Sequence, residues 1–138
     1  MKTYNVILLY SAGGDKILMC QRRKPPYQGL KNLVGGKVEP GEDHADAAYR
    51  ELYEETATPR DAVDLLHLMD FTYHHPACCV EVYAGKLKRE VAVSGDENDL
   101  LWVDANDDFF DGTRYAGQGN IGHMVEVYKQ VGGTQWTS

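Results

Sequence analysis

The order of apolar and polar positions divides this chain into strands and two helices. Residues 3 to 10, TYNVILLY, are mostly apolar and rich in β-formers, and residues 16 to 22, KILMCQR, alternate well enough for a second strand. The five residues between them, SAGGD, are turn formers, so the two runs predict a hairpin. Two prolines in KPPYQG, residues 24 to 29, exclude regular structure there. Leu30 to Val34 predicts a short strand entering the pair Gly35-Gly36, where missing side chains let backbone approach a phosphate or metal closely. Further on, residues 63 to 73 predict an irregular strand, His74-His75-Pro76 breaks it, and residues 77 to 88 predict a long partner strand. A polar loop spans residues 91 to 99, a short strand spans 100 to 103, and an acidic stretch follows to Asp111. Ile121, Met124, Val125 and Tyr128 recur at helical spacing within residues 120 to 131, although Gly122 weakens the first turn of that helix.

The most informative stretch lies between these halves. Residues 35 to 58 read GGKVEPGEDHADAAYRELYEETAT. Pro40-Gly41 marks a turn. Asp43 is positioned to cap a helix, with Asp46 at a loose capping-box spacing, and Pro59 ends the helical run. Ala45, Ala48 and Leu52 give one narrow apolar stripe at i, i+3, i+7. Glu51, Glu54 and Glu55 fall at i, i+3, i+4 on another, so their carboxylates meet in space.

Like charges one turn apart destabilise a helix by roughly 0.2–0.5 kcal/mol per pair. Three of them on one stripe point to a bound cation. Carboxylate oxygens suit Mg²⁺ or Mn²⁺, hard ions that keep several waters for substrate phosphates. Arg50, four residues before Glu54, can pair with it and fix that carboxylate. Taken alone, an E-x-x-E-E run is more often a solvated acidic face.

The preceding loop changes that balance, because the stretch resembles the signature of the Nudix hydrolases, G-x5-E-x7-R-E-U-x-E-E-x-G-U with U aliphatic. Gly36, Glu42, Arg50, Glu51, Leu52, Glu54 and Glu55 match it in register; Ala57 and Thr58 stand where the signature has Gly and an aliphatic residue. Ala57 falls at the helix exit, where glycine ordinarily supplies a left-handed cap. The resemblance implies an α/β fold, the Nudix α/β/α sandwich with a mixed central sheet. It also implies hydrolysis of a substrate built on a nucleoside diphosphate. Carried over by position, it makes Glu51, Glu54 and Glu55 metal ligands, Gly36 a carbonyl donor, Glu42 a support of the loop, and Arg50 an orienter of carboxylates. Many relatives add an acidic residue from a later loop as ligand or base, and Glu97, then Asp96, is the candidate here. Members that remove oxidised purine nucleotides use an Asn shortly before the glycine pair, which Asn32 resembles, and residues before the last helix. In RYAGQGNIGH, Tyr115 is a candidate to stack on a base, and Gln118 or Asn120 to bond its edge. The plainer reading of Asn120 is a helix N-cap.

Composition bounds the rest. A chain of 138 residues, 43% hydrophobic, suits a single domain with a real core, expected over residues 1–131 with a tail at 132–138. The apolar run near the start lacks a small-residue cleavage site and reads as a strand rather than a signal peptide. No apolar run is long enough for a membrane span. Cys20, Cys78 and Cys79 show no zinc-type spacing and fit a reduced, cytoplasmic protein with buried thiols. The net charge of −7 argues against a nucleic acid polymer as partner, so a metal must supply positive charge against a phosphate chain. Lys16, Arg22, Arg23, Lys24, Lys31 and Lys37 cluster in the first third and can assist; Arg22 and Lys37 are the substrate candidates among them. His74, His75 and His123 are possible bases, with a solvated turn and a packed helix position as their ordinary readings. The sequence-level expectation is a monomeric or homodimeric Mg²⁺-dependent (or Mn²⁺-dependent) MutT-like pyrophosphohydrolase. It would cleave a nucleoside triphosphate, oxidised or not, to monophosphate and pyrophosphate. The rivals are an ADP-ribose or nucleotide-sugar pyrophosphatase and a non-catalytic nucleotide-binding module.

Overall fold

The computed structural model describes residues 1–21, 29–95 and 98–131. Two helices flank a seven-stranded mixed sheet: β1 (Lys2–Tyr10), β2 (Lys16–Gln21), β3 (Lys31–Asn32), β4 (Val34–Lys37), α1 (His44–Thr56), β5 (Leu66–His74), β6 (Ala77–Lys86), β7 (Asp99–Asp104) and α2 (Asn120–Val131). This is the expected α/β/α sandwich with a mixed sheet.

Strand β1 is the axis. It runs parallel to β6 along its whole length, and its other edge is shared. Near the turn, Tyr10 pairs with Ile17 of β2, as the hairpin reading required; lower down, residues 4 to 7 pair antiparallel with β4. The glycine pair is therefore inside a strand rather than in a loop after one, because β4 pairs with β1 through Gly35 and Gly36 themselves. Strand β2 diverges to pair with β7 and β3, and β5 closes the far edge against β6.

Alternation along β1 divides the core. Ile7 and Leu9 face α1 together with Leu18, Val34 and Tyr83; Leu8 and Tyr10 face α2 together with Met19, Val82 and Val103. Tyr10 stacks on Tyr128 of α2 at 5.2 Å between ring centroids, which fixes that helix to the central strand. A Cβ on Gly122, in the first turn of α2, would lie 2.6 Å from the ring of the exposed Phe110, so a larger residue there would displace that ring. Among the described residues, no helix is long and apolar enough to cross a membrane.

Helix α1 begins as expected: the Asp43 carboxylate accepts the Asp46 N–H at 3.0 Å. Its buried face is wider than the sequence stripe and rotated from it. Ala47, Ala48, Glu51, Leu52 and Thr56 are buried, whereas Ala45 is exposed. The helix leans on β4 as well as β1, so a second ridge one residue earlier also meets the sheet. At the exit, Ala57 adopts the left-handed conformation (φ 62°, ψ 20°), and its N–H donates to Tyr53 O at 2.8 Å. The geometry of the usual glycine cap is thus kept without glycine. Thr58 fills the aliphatic position, 1% exposed, with its hydroxyl 2.7 Å from that of Thr56, which donates to Leu52 O. A left-handed alanine costs about 1 kcal/mol relative to glycine. Ala57→Gly is therefore expected to raise the unfolding free energy by about 0.5–1 kcal/mol in urea denaturation. A fall in stability would show that the alanine methyl makes a packing contact worth more than the strain.

Candidate active site

Local helical geometry and one tertiary contact assemble the carboxylate site. Glu51 lies on the buried face of α1, 8% exposed, with its carboxylate directly against the backbone of Gly36. A Cβ on residue 36 would come within 2.3 Å of the Glu51 carboxyl carbon, so glycine is what admits this side chain to the edge of β4. Glu54, one turn on, is exposed, and Glu55 is half-buried. Ser94 N–H donates to Thr56 O at 2.9 Å, and Gly95 packs on Glu55 O, so the loop before β7 lies against this end of the helix.

Arg50 ties the site together. Its Nε and Nη2 donate to the two oxygens of Glu42 at 2.7 and 2.9 Å, a bidentate clamp across the turn, and Nη2 also donates to Lys37 O at 3.0 Å. Its Nη1 reaches Glu51 Oε1 at 3.0 Å and Glu54 Oε2 at 3.2 Å. The clamp holds the Glu42 carboxyl down to about 2, mainly through Arg50 and then through the Glu39 N–H. Arg50 is itself held well above the usual guanidinium range, chiefly by Glu42.

This arrangement fits a hard divalent cation. Two carboxylate oxygens converge on a single positively charged nitrogen beside a glycine that leaves the approach open, and the side-chain donors offered by Glu51, Glu54 and Glu55 are all oxygen. Next to it, Lys2, Thr3, Lys37, Glu39, Glu42 and His44 line a groove of about 340 Å³ between the start of β1 and the turn before α1. Lys37 is therefore exposed at the border of the carboxylate site.

The candidate substrate groups fare unequally. Lys31 N–H donates to Arg114 O and Ala116 N–H donates to Lys31 O, both at 2.9 Å, which sets the 114–120 segment beside Asn32. Asn32 is half-buried, and its Oδ1 accepts the Leu33 N–H at 2.8 Å. Asn120 is the first residue of α2; its Nδ2 donates to the Tyr73 hydroxyl at 2.8 Å. Gln118 is exposed with a left-handed backbone (φ 53°). Tyr115 corrects the sequence reading: at 1% exposure it cannot stack on a base. It is a core residue, tilted against Phe109, with Lys31 and Arg114 near its ring and its hydroxyl donating to Asp107. The glycine-rich segment folds back onto β3 and carries the ring inward, which its polar composition concealed. His123 is exposed rather than packed, its ring edge-on to Phe71. None of the three cysteines is in a disulfide; Cys20 is buried, whereas Cys78 and Cys79 are half-buried. Arg22, Glu97 and Asp96, and the tail at 132–138, lie outside the described residues.

Asp107 was not legible as the anchor of this segment. Hydrogen bonds from Arg114 and then from Tyr115 hold its carboxyl well below the usual carboxylate range. A carboxyl with a depressed folded-state pKa binds its proton more readily in the unfolded chain. Its stabilisation is therefore present at neutral pH and is lost as the pH falls below about 4. Asp107→Asn is expected to be less stable than the parent at pH 7 and to lose less on going to pH 3, as read by urea unfolding at both values. Parallel losses in the two proteins would remove Asp107 from the acid limb.

Comparison with known proteins places the chain in a family. A model of the NUDIX domain matches residues 1–116. The chain is 35% identical over 116 residues to a protein of Myxococcus xanthus named octanoyltransferase, a match covering 75% of this chain and 31% of that one. It thus spans a little under a third of the length of this curated relative. A Caenorhabditis elegans Ap4A hydrolase superposes with a TM-score of 0.75 at 20% identity, covering 94% of this chain and 96% of that one. The corresponding values for an Escherichia coli dihydroneopterin triphosphate pyrophosphohydrolase are 0.68, 20%, 94% and 93%. For a MutT from work on Aliivibrio salmonicida and Vibrio cholerae they are 0.68, 19%, 94% and 98%. At such identities the structural likeness is one of fold, and the family assignment rests on the domain match together with the signature residues around Arg50. The chain belongs to the Nudix family.

Proposed function

We propose that this Nudix protein hydrolyses a nucleoside triphosphate, oxidised or unmodified in its base, to the monophosphate and pyrophosphate, with Mg²⁺ as the ion. The observation that carries the reading is the convergence of Glu51 and Glu54 on one Arg50 nitrogen beside Gly36. Glu51, Glu54 and Glu55, with the Gly36 carbonyl, would hold the ion. When bound, it supplies positive charge against the phosphate chain and Lewis acidity toward the reacting phosphorus. Arg50 acts as a positioning residue, keeping Glu51 and Glu54 turned to the same point and the turn at Glu42 closed over α1. Lys37 and Arg22 are the cationic groups proposed for the phosphates, and Glu97 the proposed base. Asn32, Gln118 and Asn120 border the proposed base subsite. Tyr73, tied to Asn120, joins them in place of the buried Tyr115.

A nucleotide panel with Mg²⁺, with products separated by chromatography, tests this. It includes unmodified and 8-oxo purine triphosphates, ADP-ribose, a nucleotide sugar and a dinucleoside tetraphosphate. Monophosphate and pyrophosphate from a triphosphate are expected. Preferred cleavage of ADP-ribose or a sugar nucleotide would replace the substrate assignment. Affinity without turnover across the panel would overturn the enzymatic reading in favour of a binding module.

A further inference from the structure

The α1-facing side of the sheet carries a second polar cluster that hydrolysis at Glu51 and Glu54 does not use. One transverse row runs Gly36, Asn5, Glu81, Asp70 across β4, β1, β6 and β5. Regular alternation would send His67 and Asp70 to opposite faces of β5. The register shift between His67 and Met69 removes that opposition, and the two side chains meet, His67 Nε2 lying 2.6 Å from Asp70 Oδ1. One ligand atom each from His67, Asp70 and Glu81 falls within 4.8 Å of the others. Asp70 and Glu81 are direct cross-strand partners, an unfavourable pairing of like charges. Glu81 is 8% exposed.

Two further features shape this cluster. His44, the first residue of α1, places Nδ1 2.9 and 2.8 Å from the two oxygens of Glu81, and Tyr83 donates to one of them at 3.4 Å, so that carboxylate is already oriented. Beside Glu81 in the row, Asn5 is 1% exposed. Its Oδ1 accepts the Gly36 N–H at 3.1 Å, and its Nδ2 has no hydrogen-bond partner among the described residues. A buried amide donor without an acceptor is costly. Asn5 stands in the row between Gly36, against which the Glu51 carboxylate lies, and Glu81, so its unbonded amide nitrogen is buried on the face that carries both carboxylates.

We propose that His67, Asp70 and Glu81 form a second cation site, separate from the α1 carboxylates and selective for a first-row transition ion such as Zn²⁺ over Mg²⁺. One imidazole nitrogen with two carboxylates is a donor set for Zn²⁺ or its neighbours, whereas Mg²⁺ favours oxygen throughout. His44 lies outside the ligand set and orients Glu81, as outer-shell partners of metal ligands do. In the loaded site Nε2 of the neutral His67 ring faces the ion and the ring proton sits on Nδ1. The Asn5 amide then has an acceptor available in a water or anion completing the ion's shell. The site would join the β5 edge to β6 and, through His44, to the start of the helix that carries Glu51 and Glu54.

The test titrates the full chain with Zn²⁺, and with Co²⁺ for its visible absorption, in millimolar Mg²⁺ that fills the α1 site. The expected result is one equivalent of Zn²⁺ bound and a raised Tm. Both should persist in the double variant Glu51→Gln, Glu54→Gln, and affinity should fall at least about tenfold in His67→Ala and in Asp70→Asn. His67 and Asp70 are exposed, so these variants are expected to fold and to keep the Mg²⁺-supported hydrolysis rate. Three outcomes would overturn the site: no Zn²⁺ binding in Mg²⁺, binding lost with the α1 double variant, or binding unaffected by His67→Ala and Asp70→Asn.

Discussion

Glu54→Gln is expected to slow Mg²⁺-supported nucleotide hydrolysis by at least about a hundredfold while leaving the unfolding midpoint close to that of the parent. Glu54 is exposed, so the substitution disturbs no core packing, and glutamine preserves its shape. Its ion pair with Arg50 at 3.2 Å has a side chain more than half exposed on the Glu54 side; such a pair contributes at most about 1 kcal/mol. What the variant removes is one of the negative charges of the cation site proposed on this stripe of α1. The loss should therefore appear as a higher Mg²⁺ requirement as well as a lower rate at saturating Mg²⁺. Steady-state kinetics across a Mg²⁺ titration measures both. Equal rates and equal Mg²⁺ dependence in variant and parent would withdraw Glu54 from the site.

The second large effect separates two adjacent glycines. In Gly36→Ala the new methyl meets the Glu51 carboxylate at 2.3 Å, the far end of a flexible side chain that can swing aside. The variant is expected to fold with a modest loss of stability and to lose most Mg²⁺ affinity and activity, because Glu51 is pushed off the edge of β4. In Gly35→Ala the methyl lies 2.1 Å from Asn5 O, a backbone atom of the central strand held between β4 and β6. That obstacle cannot move without breaking the pairing, so this variant should lose several kcal/mol and yield little folded protein. Thermal unfolding and Mg²⁺ calorimetry on both proteins distinguish the two cases. A Gly36→Ala protein with the parent's Mg²⁺ affinity would show that Glu51 need not lie against that glycine.

Much of this site was readable one residue at a time. The cap at Asp43, the pairing of Arg50 with Glu54 and the hairpin after Tyr10 all follow from hydrogen bonds and side-chain spacings within a few residues. The spacing predicted that Glu51, Glu54 and Glu55 meet as one set; in the structure Glu51 and Glu54 share one Arg50 nitrogen, and among the described residues only His67, Asp70 and Glu81 bring three such ligand atoms within 4.8 Å of one another. Ala57 is instructive in the other direction. Its departure from glycine put the helix exit in question, yet the chain keeps the left-handed turn, since the hydrogen bond to Tyr53 and the buried Thr56–Thr58 pair offset a strain of about 1 kcal/mol. A lone glutamate within the apolar strand CCVEVYAG was a legible sign of Glu81 that pattern reading passed over.

The sequence by itself determined the local machinery: where most of the strands and both helices lie, that Glu51 and Glu54 stand one turn apart on α1, and which family's signature the chain bears. Tertiary structure alone decided that Glu51 is pressed onto Gly36, that Tyr115 is core rather than surface, and that a bulge in β5 brings His67 to Asp70. It also decided that Asn5 and Glu81 are neighbours. The division has one physical cause. Helical periodicity and turn geometry act over a few residues, whereas the parallel pairing of β1 with β6 and the fold-back of the 114–116 segment onto β3 depend on burying surfaces far apart in the chain.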